Sequence, residues 1–277
     1  MSITSATPVA SQAIIRTLTQ SGDEQAKSFA RLASGQRIIQ SGDDPAGLSI
    51  SENLRAQIRS LGQSERNAND GVSLVQVAEG GLTELSNLMI RLRELGIQAA
   101  SDTLDDSDRD LIQTEAQSLI QEVDRIAQVT EFNGIHLLNA QAPHEPLEFQ
   151  VGGHDRSEDR ILFDVRAIDA RADTLGVDGL DYSSTGNARD TIEKVDAALY
   201  KISSSRAVVG ATQNRLQTAV NHLGKMREAL MGAHSQIADT DIALETSALV
   251  KSQILQSVGV SVLAQANSQS RLILNLL

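Results

Sequence analysis

The sequence has no cysteine and no tryptophan, and its aromatic residues are limited to two tyrosines and four phenylalanines. Without cysteine there are no disulfides, no thiolate metal sites and no cysteine nucleophiles. Compact cores usually bury apolar area with large aromatic rings. A chain that relies on Leu, Ile, Val and Ala is therefore predicted to form thin helical bundles rather than a broad globule with an enzyme pocket.

Charge is nearly absent from both ends of the chain. Arg16 is the only charged side chain in the first 22 residues, and Lys251 and Arg271 are the only ones in the last 32. Over the whole chain the formal net charge is −12. Because nucleic acids and anionic membranes are themselves negative, this charge argues against both as partners. We expect no nucleic-acid partner and no membrane insertion.

Neither end matches a secretory signal or a membrane span. The N-terminus lacks a basic stretch followed by an apolar run, the pattern of a secretory signal peptide. Polar residues interrupt the apolar ones every few positions, so we expect no apolar run of the ~20 residues that a membrane helix needs. If the protein is extracellular, the sequence predicts export without a cleaved signal peptide.

Apolar residues at both ends recur at helical spacing. They are Ile14 and Leu18 near the front and Ile254, Val258, Val262, Ile273 and Leu277 near the back. A stripe at this period needs another helix against it, and isolated helices of this kind are marginal in water. We infer that the ends fold on each other and on neighbouring copies of the chain.

A heptad pattern begins after Pro45. Its positions are Leu54, Ile58, Leu61, Glu65, Ala68, Val72, Val75, Glu79, Leu82, Ser86 and Met89. Sustained over about five repeats, the pattern predicts a coiled-coil-like helix from Pro45 to Ala100, roughly 80 Å long. Glu65 and Glu79 interrupt the apolar seam. Gly71, Gly80 and Gly81 lower helix propensity, and such glycines more often mark close helix packing than a break.

The remaining segments complete a mainly α fold. A capped turn precedes a second helix from Asp108 to about Gln128, and Asn133-Gly134 forms a turn. Alternating residues around 147–151 and 161–165 predict a small β-hairpin, expected to be the only strand region. A helix from about Asn187 to Met231 would run antiparallel to the first, and a last helix would span 241–277. The predicted fold is a long antiparallel coiled-coil rod with a β-hairpin insert and amphipathic terminal helices.

Several motifs resemble those of the bacterial flagellin family. The N-terminal half contains Arg31-Leu32-Ala33-Ser34-Gly35, Ser41-Gly42-Asp43-Asp44-Pro45-Ala46-Gly47-Leu48, Arg66-Asn67-Ala68-Asn69-Asp70-Gly71 and Thr130-Glu131-Phe132-Asn133-Gly134. The C-terminal half contains Gln213-Asn214-Arg215-Leu216, Asp239-Thr240-Asp241-Ile242-Ala243-Leu244-Glu245 and Ala264-Gln265-Ala266-Asn267. These motifs cover nearly the whole chain in the family's order.

The resemblance implies a domain organisation without the family's large outer domains. Residues 1–42 would form the N-terminal helix and linker of the inner domain, called D0 in the family. Residues 43–140 and 187–236 would form the rod domain D1, with 141–186 as its short β-hairpin insert. Residues 237–277 would be the C-terminal D0 helix.

The resemblance also implies a function and partners. The chain would be a structural subunit that self-polymerises into the extracellular flagellar filament, with terminal helices that order on assembly. Its partners would be further copies, an export chaperone, a filament cap protein, hook–filament junction proteins and Toll-like receptor 5 of a host. The alternatives are the hook–filament junction protein itself, which would form a short ring, and a secreted coiled-coil effector or adhesin.

Besides the apolar residues of the terminal helices, which are expected to mediate assembly, two further groups of residues are candidate sites. Arg91, Leu95, Gln98 and Glu115 match positions at which similar flagellins contact the host receptor, and we expect packing between protofilaments to be their primary role. Asp43 and Asp44 precede Pro45, where acidic side chains complement a helix N-terminus at a domain junction.

No constellation of residues predicts catalysis or a cofactor. Asp239, Asp241 and Glu245 are interpreted as helix-start charges or partners between subunits rather than a cation site. The histidines lack zinc spacing, and there is no nucleophile elbow or phosphate-binding loop. We expect no enzymatic activity, no cofactor and no metal.

Overall fold

The computed structural model describes residues 9–141 and 146–275. The mainly α class that the sequence predicts is confirmed. Among the described residues, five helices of 24 to 55 residues carry most of the chain, together with one helix of four residues and two small sheets. The helices are α1 (Val9–Ser34), α2 (Pro45–Ala99), α3 (Asp106–Val129), α4 (Ala172–Leu175), α5 (Thr185–Ala238) and α6 (Ile242–Asn275). The strands are β1 (Glu131–Phe132), β2 (Ile135–His136), β3 (Leu147–Gln150) and β4 (Arg160–Phe163).

The chain divides into two compact units. The larger unit is Arg59–Glu228, and the smaller unit contains the described parts of residues 1–58 and 229–277. Helices α2 and α5 each contribute to both units. The five-part division expected from the sequence, with boundaries at 42, 140, 186 and 236, stays a prediction.

In the larger unit, α5 runs antiparallel to α2. Arg227 Nη1 lies 2.5 Å from Glu65 Oε2, and Arg206 Nη2 lies 2.8 Å from Glu79 Oε1. The later residue of α2 pairs with the earlier residue of α5, as expected for two antiparallel helices. The two glutamates that interrupt the predicted apolar seam are therefore paired with arginines of the facing helix.

The core of the larger unit is wider than a single heptad seam. Met89, Leu82 and Ala68 of the predicted seam are fully buried. Leu85 and Leu92, which lie off that seam, are equally buried. The stripe is broad because α2 packs against α5 on one side and against α3 and its following hairpin on another, so residues outside one seam also leave water.

Close packing accounts for two of the three helix glycines singled out in the sequence. A Cβ at Gly71 would lie 3.1 Å from the Phe149 ring, and one at Gly81 would lie 2.7 Å from Leu138 Cδ1. Gly80 has open space around it. Close approach therefore explains Gly71 and Gly81 and leaves Gly80 without a packing role.

Both small sheets are antiparallel hairpins. β3 pairs with β4 in the register Leu147–Phe163 and Phe149–Ile161, close to the predicted strands. β1 and β2 form a second hairpin around Asn133-Gly134, which the sequence predicted only as a turn. Asn133 and Gly134 have φ of 50° and 77°, the left-handed values that a tight two-residue hairpin turn requires. The expectation of a single strand region is wrong, because a two-residue strand is too short to show alternation.

In the smaller unit, α1 and α6 pack antiparallel. Ser21 Oγ donates to the Ser252 carbonyl at 3.1 Å, and a Cβ at Gly259 would lie 2.9 Å from Leu18 Cδ2. The linkers beside these helices form a backbone bridge, in which Arg37 N donates to the Ala238 carbonyl at 2.7 Å. The two ends of the sequence thus fold on each other, as their apolar spacing predicted.

Candidate functional site: apolar helix faces and charged surfaces

Helix α6 exposes an unusual number of large aliphatic side chains. They are Ile242, Leu244, Val250, Ile254, Leu255, Val258, Val260 and Val262, each between 46% and 71% exposed. Ile254, Val258 and Val262 follow steps of four residues and share one face, while Val260 lies on another. A single partner helix cannot cover apolar residues on several faces, so α1 alone leaves α6 incompletely buried.

Helix α1 covers one side of α6 only. Ile14 and Leu18 are half-buried, and they line a cavity of about 290 Å³ together with Val258 and Val262. Phe29 remains 64% exposed on α1. Of the other residues predicted for the terminal stripes, Ile273 lies in α6, and Leu277 lies outside the described residues.

By length and composition, Ile242–Ser268 of α6 is long and apolar enough to cross a membrane, and only 6% of it is buried. The expectation that no segment reaches this threshold is wrong, because the Ile, Leu and Val residues between the polar ones raise the average hydropathy. A lipid bilayer and a protein surface could each cover such a segment, since both remove apolar surface from water. The segment therefore needs an apolar environment that the rest of the described chain does not supply.

Asp43 and Asp44 have separate roles at the start of α2. Asp44 Oδ1 accepts from Gly47 N at 2.9 Å, so Asp44 is the N-terminal cap of the helix that begins at Pro45. Asp43 Oδ2 instead accepts from the backbone amides of Gln40 and Ile39, at 3.2 and 3.3 Å. These bonds lower the pKa of Asp43 below its ordinary value. Only one of the two predicted acids therefore caps the helix directly.

Asp239, Asp241 and Glu245, the three acidic residues near the start of α6, each have a different partner. Asp241 Oδ1 accepts from Ala243 N at 2.9 Å and caps α6, while Asp239 Oδ2 accepts from Ser235 Oγ. Glu245 points toward Arg31, with 3.8 Å between Oε1 and Nη1. Across the described residues, no cluster of three His, Asp or Glu side chains could hold a metal ion.

The structure places three of the four predicted contact residues on one surface of the larger unit. Arg91 Nη2 lies 2.7 Å from Glu115 Oε1, which joins α2 to α3, and Gln98 is exposed on α2. The Glu115 hydrogen bond is the main cause that raises the pKa of Arg91. Leu95 is different, because it is 1% exposed and belongs to the core. Its side chain is not available for contact at this surface, so Leu95 is a packing residue in this conformation.

Sequence reasoning missed the exposed apolar residues of the larger unit. Leu111 is 71% exposed on α3, one turn before Glu115 on the same face. Ile90 and Ile97 lie two turns apart on α2 and are each about half exposed, and Tyr200 on α5 is 78% exposed. Position off the heptad seam was a weak signal for Ile90 and Ile97, because Leu85 and Leu92 also lie off that seam and are fully buried.

The exposed apolar surfaces of the described residues indicate what class of protein this is. Apolar residues are exposed on α6 and, more sparsely, on the larger unit. This arrangement is typical of a helical subunit that completes its core by contact with other chains.

Comparison with known proteins identifies the family. Residues 6–142 match the model of the bacterial flagellin N-terminal helical region, and residues 192–277 match that of the bacterial flagellin C-terminal helical region. The chain belongs to the bacterial flagellin family.

Individual relatives and structures agree with this assignment. The chain is 38% identical over 275 residues to a flagellar filament 30.7 kDa core protein of Treponema maltophilum, with 95% of each chain covered. It resembles the crystal structure of Bacillus cereus flagellin at 33% identity and a TM-score of 0.51, over 57% of this chain and 88% of that one. A putative flagellar hook-associated protein from Vibrio parahaemolyticus has a TM-score of 0.58 over 71% of this chain and 100% of that one. Because that protein is only 12% identical, the likeness shows the fold alone.

Proposed function

We propose that this chain is a structural subunit that self-polymerises into the filament of the bacterial flagellum. The observation that carries the proposal is the exposure of large aliphatic residues on more than one face of α6. Burial of apolar surface stabilises an assembly by roughly 25 cal/mol per Å², so copies that cover these faces would be held together strongly. Membership of the flagellin family supports copies of the same chain, rather than a lipid bilayer, as the cover.

Association of the terminal helices with further copies is the step that drives polymerisation. A free subunit leaves most of α6 in water, and packing against several neighbours removes that surface from it. When one surface of a subunit binds a different surface of the next copy, the contact repeats from copy to copy. Unless the rotation between copies closes a ring, the result is a helical polymer. A filament subunit of this kind would act outside the cell and transmit torque to the surrounding water.

A pair of matched variants tests the role of α6. Ile254→Lys with Val250→Lys places two charges on an exposed apolar face lined by α6 residues alone, whereas Gln253→Lys with Ser257→Lys adds the same charges at exposed polar positions nearby. We expect electron microscopy to show long filaments from the unchanged chain, few or none from the first variant, and filaments from the control. Circular dichroism would confirm that both variants stay helical.

The other outcomes discriminate between functions. Filament growth by the Ile254 and Val250 variant at the concentration of the unchanged chain would remove this face of α6 from the assembly mechanism. Short rings from the unchanged chain would favour the hook–filament junction protein. Monomers under every condition would favour a secreted effector that does not polymerise.

We infer the remaining partners from the family alone. An export chaperone, a filament cap protein and junction proteins would each have to recognise a subunit whose α6 is exposed before assembly. Arg91, Gln98 and Glu115 are proposed to pack between protofilaments first, with contact to a host Toll-like receptor 5 as a second consequence. Arg91→Ala, which removes the ion pair to Glu115 and leaves the core intact, should reduce both polymerisation and receptor signalling. Undiminished signalling would refute the receptor contact.

A further inference from the structure

Two neighbouring segments and a third from the other end of the sequence meet at Arg31 in the smaller unit. Arg31 Nη2 lies 3.8 Å from Asp43 Oδ1, and Nη1 lies 3.8 Å from Glu245 Oε1. Arg31 is in the last turn of α1, Asp43 is in the linker before α2, and Glu245 is in the first turn of α6. Three of the motifs that mark the family resemblance therefore converge on one guanidinium group.

The environment of Glu245 makes this contact more than a surface ion pair. The side chain of Glu245 is 9% exposed and that of Asp43 is 15% exposed, while Arg31 is 28% exposed. Carboxylates that are this poorly solvated need a counter-charge. Among the described residues, Arg31 is the cation that comes within 4.0 Å of Glu245. Loss of the guanidinium would therefore leave a mostly buried carboxylate without its partner.

The partners of Arg31 are themselves held in place. Asp43 closes the turn that contains the Ile39 and Gln40 amides. Glu245 lies one turn after Asp241, the residue that caps α6, and Thr240 N donates to the Gly35 carbonyl at 3.0 Å. Because both carboxylates have fixed positions, Arg31 contacts both only when the end of α1 has one particular position against the linker and α6.

We propose that Arg31 is a positioning residue for polymerisation. It fixes the end of α1 against the linker and the start of α6, so that the exposed faces of α6 reach neighbouring copies in one orientation. This inference rests on the proposed function and adds to it a residue outside the apolar contact surface. Arg31 contacts only its own chain in this role, and it affects polymerisation by holding α1, the linker and α6 in place.

The test compares variants at Arg31 with a matched surface arginine. Arg31→Gln removes the charge and keeps most of the side-chain length, and Arg31→Lys keeps the charge. Arg31→Glu with Glu245→Arg exchanges the two charges. Arg55→Gln is the control, because Arg55 pairs with Glu52 at 2.7 Å within α2 and both side chains are 51% exposed. The measurement is the critical concentration for filament formation, by sedimentation and electron microscopy, with circular dichroism for folding.

We expect Arg31→Gln to raise the critical concentration roughly fivefold, the effect of removing the counter-charge from a poorly solvated carboxylate at ion-pair distance. Arg31→Lys and the charge exchange should each recover part of this loss, and Arg55→Gln should leave the critical concentration unchanged. A critical concentration for Arg31→Gln equal to that of the unchanged chain would overturn the proposal. So would a folded Arg31→Gln variant that neither the lysine variant nor the charge exchange improves on, because the role would then be packing rather than charge.

Failure of the proposed function gives a different result. In that case the unchanged chain itself would form no filaments, whatever the state of the Arg31 variants. If Arg31→Gln lost helix content, the lysine and charge-exchange variants would decide the matter, since both keep a cation in the cluster.

Discussion

The Arg206 guanidinium of α5 donates two hydrogen bonds to a single oxygen of Glu79 on α2, at 2.9 and 2.8 Å. Two further ion pairs join these helices. Glu65 of α2 pairs with Arg227 of α5, and Arg93 of α2 pairs with Asp196 of α5. Positions 65, 79 and 93 are each two heptads apart, so charged contacts recur along an otherwise apolar interface. They favour the observed antiparallel register modestly, because their side chains are partly exposed and each such pair contributes little.

The Glu79–Arg206 pair should contribute modestly to stability. Both side chains are about one third exposed, so water and salt screen their attraction. We expect a double-mutant cycle with Glu79→Gln and Arg206→Gln to give a coupling energy of roughly 0.2–1 kcal/mol. The coupling energy should decrease when the salt concentration is raised from about 0.05 M to about 0.5 M, because salt screens the attraction. Denaturant unfolding at both salt concentrations measures it. A coupling that is independent of salt would mean that the pair is effectively buried.

Adjacent glycines of α2 should respond in opposite directions to the same substitution. Gly80→Ala adds a methyl group in open space and gains helix propensity, so it should stabilise the chain by about 0.5–1 kcal/mol. Gly81→Ala places Cβ 2.7 Å from Leu138 Cδ1 and 2.9 Å from Thr130 Oγ1, so it should be destabilising, by about 1–3 kcal/mol. Chemical denaturation of the two variants tests the contrast. Equal shifts of the same sign would contradict the packing of the β1–β2 region against α2.

Acid should loosen the linker turn closed by Asp43. Its pKa is lowered by hydrogen bonds from the Gln40 and Ile39 amides and, to a smaller extent, by Arg31. A carboxyl group with a lower pKa in the folded state contributes stability above its unfolded pKa, and this contribution is lost as the pH falls through the folded pKa. We expect the amide chemical shifts of Ile39 and Gln40 to change below about pH 4 and to stay constant from about pH 5 to 8. Asp43→Asn should abolish the transition.

The two tyrosines offer a controlled test of a buried hydrogen bond. Tyr182 is fully buried, and its hydroxyl donates to the Leu92 carbonyl at 3.1 Å. Burial raises the pKa of Tyr182, so this phenol stays protonated throughout the physiological range. Tyr182→Phe should lower the free energy of unfolding by about 1 kcal/mol. Tyr200→Phe, at a site that is 78% exposed, should leave it unchanged. Equal losses in the two variants would show that the hydrogen bond has no special role.

The helices were predictable because each has a periodic apolar stripe that is independent of its neighbours. The predicted helix from Pro45 to Ala100 ends within one residue of the observed α2. The helix predicted from Asn187 to Met231 continues to Ala238, because the final turns of α5 belong to the smaller unit, where Ala238 is buried. The β1–β2 hairpin was not predictable as strands, since its two-residue strands depend on the turn and on packing rather than on alternation.

The candidate sites were predictable only in part. Arg91, Gln98 and Glu115 lie on one surface, but Leu95 turned inward because it occupies the side of α2 that faces the core. Heptad spacing gives the relative direction of two side chains on a helix, and it does not say which direction faces solvent. The contact between Glu245 and Arg31 could not be predicted, because the two residues come from opposite ends of the sequence.

By itself the sequence determined the helical class, the approximate helix bounds, the antiparallel turn-back and the family, because these depend on local periodicity and on motifs in a fixed order. Only the tertiary structure decided which residues leave water and which ionic groups meet. Burial and ion pairing depend on contacts between segments separated by a hundred residues or more. The charge on Glu79 and the apolar side chain of Val260 both look out of place in the sequence. The fold gives Glu79 its arginine, and it leaves Val260 exposed for another chain to cover.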